Sequence, residues 1–123
     1  MKYLLLGYTA AQEWDESDVS AEEIARVCRE YDALEQRLRD IGEFVAAEGL
    51  ADHSQTVTVS SRDGVAVATD GPFIEAKESM VSYLLVDVAS RERAVEIGSA
   101  LVDLYGQTCE VRPVMEMDVP PDL

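Results

Sequence analysis

The sequence predicts a small α+β domain, and three observations carry that expectation. Two stretches, residues 20–42 and 90–106, repeat apolar residues at three- and four-residue steps, as amphipathic helices do. Several shorter stretches alternate or run apolar, as strands do. The two kinds are interleaved along 123 residues, a length suited to one domain. We place that domain at residues 1–115 and expect 116–123, with Pro120-Pro121 and its acids, to be a flexible acidic tail.

Residues 2–8 open the chain as a strand. Tyr3 and Leu5 share one face, Leu4 and Leu6 the other, so both faces read as covered. The apolar run stops at Gly7, too short for a secretory core, and no stretch nears the roughly 20 apolar residues of a membrane span. Ser20 with Glu23 forms a capping box, and Val19 with Ile24 has staple spacing. Ile24, Val27, Tyr31, Leu34, Leu38 and Ile41 then mark one helix face, and Gly42 suits the left-handed residue that ends it. Residues 43–50 read as a strand. Residues 55–60 and 65–69 flank Asp63-Gly64, a hairpin signal. Met80–Val88 is a long apolar strand. Ser90 caps a helix carrying Ala94, Ile97, Leu101 and Leu104, stopped near Gly106, and 108–115 is the last strand.

The order β-α-β, hairpin, β-α-β is the split-βαβ, ferredoxin-like plan with an extra β-hairpin. Two helices cover one sheet face. Strands apolar on both faces therefore need a second cover, and a second copy of the same sheet supplies one: the chain is expected to be a homodimer.

Ten basic against twenty-five acidic residues give a net charge of −15. That charge opposes binding to nucleic acid or anionic membranes and favours a basic partner surface. Cys28 and Cys109, isolated in sequence, read as buried thiols of a cytoplasmic protein. A lone histidine, His53, cannot anchor a metal site without help, so no metal or cofactor is expected. His53 reads as a solvated loop residue, with a general base as the sharper alternative. Trp14, in the acidic loop Glu13–Asp18, either packs on its own domain or closes over a ligand. Phosphate loops, Cys-x-x-Cys pairs and nucleophile elbows are missing from the sequence.

The distinctive segment is Thr69-Asp70-Gly71-Pro72-Phe73-Ile74-Glu75-Ala76-Lys77-Glu78. Asp70 can accept backbone N–H bonds, Gly71 and Pro72 constrain the bend, and Phe73 reads as a core plug. Glu75, Lys77 and Glu78 leave charges beside it. The segment serves either as a specialised turn or as a rim holding carboxylates over a cleft.

This segment resembles the signature of the DGPF family, a branch of the YCII-related proteins. Met1–Leu6, Ala47-Glu48-Gly49-Leu50 and Glu110-Val111-Arg112-Pro113 are similar to that family in the same order. The resemblance implies a ferredoxin-like subunit that pairs as a dimeric α/β barrel. It also implies a candidate enzyme, since typical members place a His and an Asp in a cleft. Aligning Asp40-Ile41-Gly42 with the Asp-Glu-Gly of typical members puts Tyr31 at the histidine position, with Asp103 the nearest candidate for the Asp. The chain departs from the family there, and Tyr31 also fits as a packed core tyrosine.

Two functions compete. One is a dimer-cleft site for a small polar organic ligand, able to do acid–base chemistry. Tyr31, Asp70, Glu75, Lys77, Glu78 and Tyr83 are its candidate residues, with the two tyrosines expected to meet in one pocket. The other is a regulatory or protein-interaction module, because DGPF-type proteins are often encoded beside alternative sigma factors.

Overall fold

A computed structural model of the chain describes residues 1–10, 19–73 and 78–116. In order these form β1 (Lys2–Ala10), α1 (Ala21–Asp40), β2 (Phe44–Gly49), β3 (Val57–Arg62), β4 (Val65–Asp70), β5 (Glu78–Asp87), α2 (Arg91–Tyr105) and β6 (Thr108–Pro113). A 3₁₀ turn, His53–Gln55, follows β2.

Local chemistry sets the boundaries. The Ser20 hydroxyl accepts from the Glu23 N–H at 3.1 Å, and the Ser90 hydroxyl from the Arg93 N–H at 3.2 Å, each satisfying a donor the helix start leaves open. Gly42 and Gly106 end the helices at φ 76° and 66°. Asp63 and Gly64, at φ 51° and 80°, turn the hairpin in the primed geometry that matches strand twist.

Four strands form one antiparallel sheet in the order β2-β5-β1-β6. Both helices lie on one face. Leu34 and Leu38 from α1 and Ala94 and Ile97 from α2 bury against Tyr3, Leu5, Leu84 and Val86. Leu5 and Leu38 are 1% exposed, and burial of each contributes about 1.5–3 kcal/mol before entropy is set against it. The arrangement is an α+β fold consistent with the ferredoxin-like plan. Close approach of α2 needs Gly98: a Cβ there would lie 3.1 Å from Val111 Cγ2 and 3.3 Å from Leu5 Cδ2.

A bulge interrupts the β1–β5 pairing. Gly7 opposes Ser82 and Tyr8 opposes Met80, leaving Val81 unopposed. A side chain at residue 7 would meet Ser82 Oγ, which would have to rotate away to admit it. Across the far end, Arg93 grips Glu43 through Nε and Nη2 at 2.8–3.1 Å, tying α2 to the turn before β2. Hydrogen bonding to Glu43 and Glu96 raises the Arg93 pKa.

Three expectations fail for physical reasons. Leu34 and Leu38 are the α1 residues that bury fully, while Ile24 and Ile41 are 40% and 63% exposed. A 20-residue helix is about 30 Å long, and its N-terminal half extends past the packed core. Cys28 lies in that half and is exposed, and Cys109 is half-buried; neither is a fully buried thiol. Phe73, read as a core plug, is 77% exposed beyond the Gly71-Pro72 corner.

The hairpin β3–β4 is a separate two-stranded sheet. Its foot is fixed: Gly71 N–H donates to Thr56 O at 2.8 Å, and the Thr58 hydroxyl donates to Gly71 O at 2.6 Å.

Candidate functional site

Strand alternation decides which residues can share a site. Tyr3, Leu5, Leu84 and Val86 face the helices, so Leu4, Leu6, Tyr83 and Leu85 face the other way. No described helix covers that second face.

Tyr31 and Tyr83 therefore do not converge. Tyr31 sits in the helical layer, where its hydroxyl donates to Glu35 Oε1 at 3.2 Å and its ring lies 6.2 Å from that of Tyr105. Burial, and then the Glu35 carboxylate, push the Tyr31 phenol well above its ordinary pKa. Tyr83 projects from β5 on the opposite side of the sheet. The expected shared pocket of the two tyrosines is absent in the single chain because the sheet separates them. Asp103 does not join Tyr31 either. Two residues along a helix turn about 200°, and Tyr105, not Asp103, faces Tyr31. Asp103 instead lines a shallow groove of about 290 Å³ with Val102 and Cys109.

Asp70 closes β4, paired with Val57, and is exposed. Among the described residues its carboxylate accepts no hydrogen bond; the corner is held by Thr58 and the backbone. Glu78 is the exposed first residue of β5, opposite Ala10. Glu75, Lys77 and Trp14 lie outside the described residues. His53 occupies the 3₁₀ turn with Nδ1 3.5 Å from Asp52 Oδ1, its sequence neighbour. No group of three His, Cys, Asp or Glu able to hold a metal occurs among the described residues.

What the sheet brings together is a different set. Register places Glu48, Tyr83, Leu6 and Glu110 in one row across all four strands of the open face. The next row is Ala46, Leu85, Leu4 and Arg112. Tyr8 follows Leu6 on the same face of β1. Burial first, and then the neighbouring Glu110 carboxylate, raise its phenol pKa. An aliphatic floor of Leu4, Leu6 and Leu85 is thus bounded by phenol donors and carboxylate acceptors, with one guanidinium nearby. Such a surface can hold a polar organic molecule by its apolar body and fix it through hydrogen bonds. The sequence pass singled out Tyr83 alone of these polar residues. Glu48 and Glu110 sit in edge strands, and only the pairing register shows that they flank it.

The YCII-related domain matches residues 1–118. The uncharacterized protein R00369 of Rhizobium meliloti (strain 1021) is 31% identical over 119 residues, spanning 93% of this chain and 92% of its own length.

Proposed function

The chain belongs to the YCII-related family, and from that premise we propose that it is a homodimeric, DGPF-type protein that binds a small polar organic molecule over the open face of its four-stranded sheet. The observation that carries this reading is the cross-sheet row Glu48–Tyr83–Leu6–Glu110 on a face that no described helix covers. Pairing of two such faces encloses the row in a cleft, the dimeric α/β barrel arrangement.

Asp70 at the end of β4 and Glu78 at the start of β5 are taken as the rim of this cleft, while Glu75 and Lys77 lie outside the described residues. Tyr31 is not part of the rim, since it lies across the sheet. Any acid–base step here falls to Glu48, Glu110 and the phenols of Tyr8 and Tyr83.

The test is a thermal-shift panel of neutral, cationic and anionic polar organic molecules, run beside light scattering at micromolar concentration. The expected result is a dimer with ligands whose stabilisation is lost in Glu48→Gln and Tyr83→Phe. A monomer, or ligands indifferent to both substitutions, overturns the reading. The net charge of −15 favours the second reading, a regulatory module meeting a basic protein in an alternative-sigma-factor setting. Salt-sensitive capture of a basic protein, with no ligand in the panel, would select it.

A further inference from the structure

The open sheet face is unevenly charged. Across its rows from Leu4 to Ala10 it carries three carboxylates, Glu48, Glu78 and Glu110, against one guanidinium, Arg112. Among the described residues none of these four joins an ion pair. Arg112, two residues from Glu110 on β6, offsets that end of the face in part; no described cation stands in the row beside Glu48. Pairing of two such faces doubles the excess and withdraws it from water, where uncompensated charge is costly. A cation in the cleft relieves that cost, and an anion adds to it.

Spacing selects the kind of cation. Glu48 lies on one outer strand, β2, and Glu110 on the other, β6. Three strand spacings separate them, roughly 14 Å. A single metal ion or ammonium cannot reach both, and the described residues hold no group of three metal-binding side chains. Between the two acids stand Tyr83, half-exposed, and Leu6, buried. The row therefore has exposed carboxylates at its ends and an uncharged, aromatic middle. A molecule matched to it carries a positive nitrogen at each end and methylenes between. A further nitrogen along such a chain gains from the negative face of a tyrosine ring.

We propose that the molecule bound over this face is a linear aliphatic polyamine, its terminal ammonium groups on Glu48 and Glu110 and its chain lying across Tyr83. This rests on the ligand-site reading above and adds the chemical class.

The test is isothermal titration calorimetry at physiological salt with spermidine, 1,3-diaminopropane and 1-aminopropane. The proteins are the full chain, Glu48→Gln, Glu110→Gln, and Glu22→Gln/Glu23→Gln on α1, across the sheet, with circular dichroism to confirm folding. Wild type should bind spermidine at least about tenfold more tightly than either short amine, since only spermidine spans the row. Glu48→Gln should lose about tenfold for spermidine and Glu110→Gln somewhat less, the worth of one charge-assisted contact each. The α1 pair should change it less than about twofold. An equal loss in the α1 pair means diffuse attraction to an acidic protein and overturns the proposal, as do equal affinities for spermidine and 1,3-diaminopropane. Should a variant fail to fold, the amine series on wild type decides alone. No spermidine binding, with a neutral or anionic molecule held in a Tyr83-dependent way, overturns the polyamine and leaves the ligand site standing. No ligand of any class overturns both.

Discussion

In the four-stranded sheet, Tyr3 and Leu5 of β1 and Leu84 and Val86 of β5 turn toward the helices and are buried, and on the second face Leu4, Tyr83 and Leu85 are half-exposed while Leu6 is buried. In the hairpin each face carries two valines, Val57 and Val59 on one and Val65 and Val67 on the other, and of the four only Val67 is half-buried. Both are antiparallel, and both obey the period of two. The difference is where each apolar face finds its cover. The first sheet is explained by the single chain, and the second is not. Stability should therefore concentrate in one layer.

The comparison breaks first on core truncation. Leu38→Ala should cost about 2–5 kcal/mol in denaturant unfolding, and Val59→Ala within about 0.5 kcal/mol under monomeric conditions. Equal losses would mean that the ribbon is packed within its own chain. The Arg93 grip on Glu43 belongs to the stable layer. Arg93→Met removes charge-assisted hydrogen bonds worth about 1.5–3 kcal/mol, and the denaturation midpoint should fall accordingly.

At the ribbon's foot the contrast narrows. Thr58→Val deletes the hydroxyl bond to Gly71 and should lose about 1 kcal/mol. Asp70→Ala should change stability by less than about 0.5 kcal/mol, since no described group bonds its carboxylate. A larger loss at Asp70 would return the turn-capping role expected from sequence.

The smallest effect is one of pH. Asp52 caps the 3₁₀ turn, and hydrogen bonds from the Ser54 hydroxyl and then the Ser54 N–H hold its carboxyl below the ordinary range. A lowered pKa stabilises the fold above the ordinary carboxylate range and loses that contribution as pH falls through the lowered value. Asp52→Asn should flatten this part of the acid limb of a stability–pH curve by lowering the neutral-pH midpoint slightly, with the low-pH end nearly unmoved.

Much of the fold was legible because it is written in local chemistry. Ser20, Ser90, Gly42, Gly106 and Asp63-Gly64 mark boundaries through backbone needs that neighbouring residues fix. Faces were less legible. Tyr31 and Tyr83 both occupy apolar-patterned positions, and period alone cannot say that the sheet will stand between them. The row Glu48–Tyr83–Leu6–Glu110 draws one residue from each of four strands, so it exists only once register is set. Phe73 misled because an aromatic after a constrained Gly-Pro corner is read by hydrophobicity, whereas its exposure depends on where that corner points.

The strand order also bears on synthesis. The first strand made, β1, ends as an inner strand, and both its neighbours, β5 and β6, come from the last third of the described chain. A growing polypeptide on the ribosome can form α1 early, but β1 must wait for residues 78–87 and then 108–113 before either edge is satisfied. Such long-separated pairings slow the search for the native state and leave an apolar strand available to wrong partners meanwhile. Translation stalled before β6 would leave β1 as a bare sheet edge, the template on which nascent chains aggregate.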